Sequence, residues 1–206
     1  ALEDALEAAG YCEIGTAMGR LEAVLVVESV ARHAGVAASA ARLLAAPSVG
    51  AGDAPGPVAV AQTGHTGPVR FAAHARTLLW IDGAMARRIE LAPGSCPPVA
   101  SNFGFPMGRV PAEIAAGGEV LGPGSGARLR DAWRLGLAAE AVGCMEAALG
   151  QTVEYLKERR QFGRSIASFQ AVQHRLAECA IQVEASRWLT REAAYASGAS
   201  EAIATA

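Results

Sequence analysis

Proline is the strongest constraint on how this chain folds. All ten prolines fall between Pro47 and Pro123, and fourteen of the 23 glycines fall between Gly50 and Gly126. A proline inside a helix removes an N–H donor and clashes with the preceding turn. The Ala-, Leu- and Glu-rich flanks, which carry no proline, therefore read as helical, and the middle reads as strands and turns. In that middle, "PVAVAQTG", "VRFAA", "TLLWIDG" and "RRIELAPG" are short apolar or alternating runs closed by Gly, Asp or Pro. They suit a small antiparallel sheet or barrel. The expected fold class is α+β and multidomain. A partial N-terminal helical domain (1–46) precedes a small central antiparallel β domain with its linker (47–126). A partial C-terminal long-helix bundle (127–206) completes the order.

The C-terminal flank carries two helical rhythms. From Leu129, apolar residues recur at Trp133, Leu137, Val142, Met145, Leu149, Val153 and Leu156. A second run takes Ile166, Phe169, Val172, Leu176, Cys179, Val183 and Trp188. Steps of three and four put each set on one stripe of a helix of about seven turns or more. Gly163 stands between them, where glycine's left-handed dihedrals suit a corner. Two long helices joined by a short turn pack antiparallel. Arg159 and Arg160 are then expected in the last turn of the first helix, where cations are favourable.

The corner carries a composite pattern. From Tyr155 to Glu178 the chain reads Y-x-x-E-R-x-Q-F-G-x-x-I-x-x-F-Q-x-x-Q-x-x-L-A-E, more than a dozen identities at set spacing. This closely resembles the hairpin signature of acyl-CoA dehydrogenases, and the three-part layout agrees with that family's α, β-barrel, α order. In such enzymes the tip reaches across a subunit interface onto the neighbour's FAD. The resemblance implies that Arg159 contacts the FAD pyrophosphate, that Gln161 and Phe162 line the cofactor, and that Gln170 hydrogen-bonds to it. A planar guanidinium offers paired donors to phosphate oxygens, and such charge-assisted bonds are about twice as strong as neutral ones. Upstream, "DAWRLGLAAEAVG" resembles the family's D-x-x-R-x-x-x-A-A-x-x-x-G. The resemblance assigns Asp131 and Arg134 to the acyl-CoA thioester and pantetheine side. Their spacing of three also suits an ordinary intrahelical ion pair. Gly143 in this run is expected to permit close helix packing.

The chain also departs from the family pattern. Dehydrogenation needs a carboxylate within hydrogen-bond reach of the α-proton, while the flavin supplies the redox chemistry. One branch of the family places its glutamate just before the D-x-x-R arginine, a position held here by Trp133. Asp131 is rotated about 200° from it around the helix and cannot stand in. The main branch's late glutamate, and the glutamine-and-glycine segment that completes the flavin site, are expected beyond Ala206. The family's Trp-(Ile/Val)-(Thr/Ser) flavin contact is not recognisable, although "TGPVRFAAHA" occupies its approximate place.

Composition narrows the remaining choices. Net charge is −2 with no basic block, which argues against nucleic acid or an anionic membrane as partner. Lys157 is the one lysine beside seventeen arginines, a codon-bias signature. The run "AVLVVESVA" is short and broken by Glu28, so no membrane span is expected. Glu3, Asp4 and Glu7 speak against a signal peptide. Cys12, Cys96, Cys144 and Cys179 form no CxxC pair, as expected of reduced cytoplasmic thiols. The four histidines show no HxxxH or HExxH pattern, so no metal site is expected. "GPGSG", Gly122 to Gly126, reads as a linker, since its spacing is not GxGxxG. The expectation is an FAD-dependent acyl-CoA dehydrogenase subunit, acting on an acyl-CoA substrate within a homo-oligomer or a heterotetramer with a related subunit. The alternatives are a non-catalytic subunit lending half of an FAD site to a partner, or the same fold with oxygenase-like flavin chemistry.

Overall fold

The structure is a computed structural model that describes residues 2–102 and 104–196. The N-terminal part contains α1 (Leu2–Ala8), α2 (Ile14–Ala17) and α3 (Arg20–Arg32). A π-helical turn at Ala41–Ala45 then runs into α4 (Ala46–Ser48). The middle holds β1 (Val58–Gln62), β2 (Val69–Arg70), β3 (Thr77–Asp82), β4 (Met85–Glu90), β5 (Pro98–Val99) and β6 (Met107–Gly108). The short helix α5 (Ala112–Ala115) and β7 (Glu119–Val120) follow. Helix α6 (Ser125–Glu158) leads through β8 (Arg160–Gln161) and β9 (Arg164–Ser165) into α7 (Gln170–Tyr195). The fold is mixed α+β, as the proline distribution indicates.

The larger sheet has the order β1-β3-β4-β7, and a second sheet has the order β2-β6-β5. The ladders are antiparallel as expected except one: β1 pairs with β3 in parallel, with Val60 opposite Leu79. The chain leaves β1, builds β2 in the other sheet and returns, so the two strands run the same way. The larger sheet is covered on both faces, which is why its strands read as apolar runs. Val58, Val60, Leu79 and Ile81 pack toward α4 and the start of α6, in a cluster that includes Leu129. Ala59, Ala61, Leu78 and Ile89 turn the other way, onto Val69, Ala72 and Cys96.

Helix α6 joins the two halves of the molecule. Its buried face is made of Leu129, Ala132, Leu135, Gly136, Ala139, Val142 and Gly143, mostly small residues. That face lets backbones approach closely. A Cβ on Gly143 would stand 2.3 Å from the Glu28 carbonyl oxygen of α3, and one on Gly136 would stand 2.7 Å from Ala40 Cβ. Gly143 therefore permits close packing as its sequence context implies. Leu135 and Ala139 share a core cluster with Ala193 and Ala194, so the start of α6 lies against the end of α7 and the pair is antiparallel. Ser125 seats the base of α6 on the sheet: its hydroxyl accepts from the Ala86 amide at 2.7 Å and donates to the Gly122 carbonyl at 2.8 Å. "GPGSG" is thus a turn into a helix. Charged side chains tie the helices further. Arg191 donates to Glu28 at 2.9 Å, and Glu146 takes both Arg32 (3.0 Å) and Arg187 (2.9 Å).

Two expectations need correction. The second helix starts at Gln170 rather than at Ile166, because Ile166–Ser168 forms a tight turn closing the hairpin. Trp188, whose place on the second apolar stripe suggests packing against the first helix, is 63% exposed, and Ile181 and Tyr195 on the same helix are more open still. Of the α7 side chains, Val183, Thr190, Ala193 and Ala194 are buried. The apolar stripe exists, but the described residues do not cover it.

Candidate functional site

The first candidate place is the tip between α6 and α7. Phe162 and Gly163 both have positive φ (53° and 78°). They form the two-residue loop of a hairpin in which Gln161 pairs with Arg164 and Arg160 with Ser165. Positive φ at both loop residues matches a type I′ turn, whose twist suits paired strands. Pairing of residues 160–165 requires extended backbone on either side. Arg159 and Arg160 consequently lie beyond the last helical turn rather than in it. Arg159 caps α6 with φ −67° and ψ 119°, its amide donating to the Tyr155 carbonyl and its own carbonyl accepting from the Ile166 amide. Phe162 is 90% exposed, and Arg159, Gln161 and Gln170 are exposed with it. Gln170 opens α7, directly across the closed hairpin. The structure thus gathers all four at one end of the helical pair.

The tip is braced from behind. Phe169 meets Phe162 edge-on at 6.2 Å between ring centres, and the Arg164 guanidinium lies over the Phe169 ring at 3.9 Å. Arg160 donates to the Gly163 carbonyl at 3.4 Å. The Arg159 guanidinium has no such engagement among the described residues. A flat aromatic ring, two amide side chains and an uncommitted guanidinium fork are a donor set that fits a flavin nucleotide.

The second place is a cleft of about 510 Å³ between the larger sheet and the N-terminal half of α6. Its floor is apolar, with Val60 and Ile81 from the sheet and Trp133 and Leu137 from α6. Arg130 and Arg134 line it from the same helix. Residues 130, 133, 134 and 137 share one helical face, which is why they meet there. "TGPVRFAAHA" contributes His65, Pro68, Val69 and Arg70. Arg70 is committed elsewhere: it donates to Glu140 at 2.8 Å and lies over the Phe105 ring at 4.1 Å. Among the described residues no carboxylate lines this cleft. The position one branch of the family gives to glutamate is filled by Trp133, packed against two core clusters. Asp131 does not line the cleft; it sits 3.9 Å from Arg134, a loose intrahelical pair. Arg134 and Asp131 are therefore neighbours, and only Arg134 faces the cavity.

Sequence reasoning missed Arg130 and the Arg70–Glu140 clamp. Both depend on strands and helix meeting in space, and neither leaves a local signal. All four cysteines are free thiols. Among the described residues no cluster of three His, Cys, Asp or Glu could hold a metal, and no helix is long and apolar enough to cross a membrane.

The fold and the hairpin together are similar to those of acyl-CoA dehydrogenases. Residues 131–205 match the family described as acyl-CoA dehydrogenase, C-terminal domain. A short-chain specific acyl-CoA dehydrogenase of Megasphaera elsdenii is 43% identical over 86 residues, which make up 42% of this chain and 22% of that enzyme. Two solved structures extend the likeness. A variant of the steroid ACAD Tcur3481-Tcur3483 is 27% identical, with TM-score 0.65 over 95% of this chain and 65% of that one. The ChsE4-ChsE5 complex from Mycobacterium tuberculosis is 25% identical, with TM-score 0.66 over 94% of this chain and 67% of that one. The chain therefore spans about a fifth of the curated relative and about two thirds of these structures.

Proposed function

We propose that this chain is a subunit of an FAD-dependent acyl-CoA dehydrogenase, a cytoplasmic enzyme that introduces a double bond α,β to an acyl-CoA thioester. One observation carries the reading. The tip and the cleft lie at opposite ends of α6: residues 134 to 158 are helical, which at 1.5 Å per residue separates them by roughly 36 Å. A hairpin built to touch a flavin nucleotide cannot touch one in its own cleft, so it serves another subunit. The uncovered Ile181, Trp188 and Tyr195 of α7 supply apolar surface for that association. In this reading Arg159 holds the pyrophosphate, Gln161 and Phe162 line the cofactor, and Gln170 hydrogen-bonds to it. Arg134, with Asp131 beside it, takes the thioester and pantetheine side. The division at 47 and 127 into helical, β and helical domains is part of the same proposal. FAD, when bound, supplies the acceptor for the substrate hydride.

The cleft favours a second, narrower reading. In that reading Trp133 stands at the base position of one branch of the family, the lining among the described residues offers no carboxylate, and the chain supports a partner's site. The names of the two structural relatives, each pairing two subunits, agree with a heteromer. Light scattering and flavin absorbance on the purified protein, with whatever subunit accompanies it, test both readings. A dimer or larger species is expected, and a flavin-free monomer at micromolar concentration would refute the proposal. One flavin per chain favours the complete enzyme, and one per pair of unlike chains favours the supporting subunit.

A further inference from the structure

The end of the β3–β4 hairpin farthest from α6 encloses a cavity of its own. Register pairs Thr77 with Glu90 at that end and Asp82 with Met85 at the other, where a Cβ on Gly126 of α6 would stand 2.5 Å from the Gly83 carbonyl oxygen. Beyond Thr77 and Glu90, segments 72–76 and 91–96 surround a space of about 270 Å³. Hydrogen bonds fix both walls. The Leu91 amide donates to the Arg76 carbonyl at 2.8 Å, the Arg76 amide to the Pro57 carbonyl at 2.9 Å, and the Ser95 amide to the Ala92 carbonyl at 3.1 Å. The floor is apolar and buried, made of Ala75, Leu91 and Cys96. The mouth carries three donors: the His74 ring, the Arg76 guanidinium and the Ser95 hydroxyl. No hydrogen bond or ion pair engages the His74 ring or the Arg76 guanidinium among the described residues. No carboxylate among those residues lines the cavity; the charge of Asp4, exposed on α1, reaches Arg76 from outside it.

We infer that this cavity is a binding site for a small organic oxyanion, a carboxylate or a phosphate monoester. Its anionic group meets Arg76, His74 and Ser95, and its apolar body rests on Leu91 and Cys96. A guanidinium fork matches the paired oxygens of either group, and an apolar floor with a few convergent polar groups is the usual build of a small-molecule pocket. The site is separate from the cleft on α6, which Ile81 lines: residues 76 and 81 are roughly 17 Å apart at strand rise. The inference does not rest on the acyl-CoA reading. Because Arg76 sits at a solvated mouth, its attraction is screened by salt.

The test uses three probes that share a benzene ring: phenyl phosphate, benzoate and neutral benzyl alcohol. Each is titrated by calorimetry, at low salt, into the purified assembly as wild type, Arg76→Gln, His74→Ala and Ala92→Trp. His74, Arg76 and Ala92 are exposed, so the substitutions leave the core intact, and melting curves verify it. At least one anion should bind more tightly than benzyl alcohol, and the tighter anion identifies phosphate or carboxylate as the group recognised. Its affinity should fall about tenfold or more in Arg76→Gln and about two- to tenfold in His74→Ala, the losses expected for a charged and a neutral hydrogen-bond partner. Ala92→Trp lays an indole over the rim and should weaken the same anion without touching the charge. Three results would each overturn the inference: no preference for an anion, an anion affinity unchanged in Arg76→Gln, or a loss in Arg76→Gln with none in Ala92→Trp.

Discussion

Two glycines in one helix should respond to the same substitution with opposite signs. Gly143 and Gly150 both lie inside α6, seven residues apart. A Cβ on Gly150 would meet nothing within 4 Å, whereas one on Gly143 would stand 2.3 Å from the Glu28 carbonyl oxygen and 2.9 Å from both Ala31 Cβ and the Arg32 amide. Glycine in a helix interior costs about 1 kcal/mol relative to alanine. Gly150→Ala should therefore stabilise by up to about 1 kcal/mol. Gly143→Ala gains the same propensity but drives a methyl into backbone that cannot rotate away. Relief requires α3 to retreat from α6 by about an ångström, loosening the cluster of Val24, Val27, Leu135 and Ala139. Overpacking of a core typically costs 1–3 kcal/mol, and contact with rigid backbone belongs at the upper end. The net expectation is a loss of about 1–2 kcal/mol, or a fall of about 2–8 °C in melting temperature for a chain of this size. Urea or thermal unfolding of both variants measures it. If Gly143→Ala melts at or above the wild type, α3 and α6 do not cross as described.

Three further substitutions probe the frame. Ser125→Ala removes the hydroxyl that bridges Ala86 and Gly122, and leaving buried backbone groups unpaired should cost about 1–3 kcal/mol in urea unfolding. Glu28→Leu strands Arg191, part-buried at 30% exposure; it should destabilise by about 1–3 kcal/mol, and adding Arg191→Leu should restore much of that, because replacing both partners leaves no buried charge. Leu79→Pro breaks the central strand, where Leu79 faces Val60 on one side and Arg88 on the other, and should abolish the cooperative transition of the β region. A soluble variant with native circular dichroism would contradict that placement.

What could be read from the sequence was local. Proline and glycine punctuate backbone within a few residues, so the strand-rich middle and the flanking helices were legible from their positions alone. The hairpin was legible because its residues serve one contiguous turn, with Gly163 supplying positive φ. Pairings between distant segments were not. Nothing near "PVAVAQTG" states that β1 skips β2 to lie parallel to β3. Arg70 meets Glu140 across 70 positions, and Arg130 acquires its meaning only when α6 closes over the sheet. The apolar rhythm also misled in two ways. Large residues mark a stripe in any hydropathy reading, yet α6 buries Ala132, Gly136, Ala139 and Gly143 and leaves Leu137 and Met145 more than a third exposed. Trp188 fits its helical register whether it fills this chain's core or meets another surface, so its exposure was not to be found in the spacing.

The tip's role can be measured through the flavin content of the purified assembly, native partner included, for wild type, Arg159→Ala, Arg159→Lys and Arg164→Ala. Losing a hydrogen bond to a charged group costs roughly 1.5–3 kcal/mol, about ten- to a hundredfold in affinity. Arg159→Ala should therefore lose most of its flavin during purification. Arg159→Lys should retain part, since an ammonium keeps the charge without the planar fork. Arg164→Ala, which removes only the stack behind Phe169, should stay near wild type. Equal flavin in all four would mean that the exposed end of α6 is a solvated corner and that the hairpin holds no cofactor.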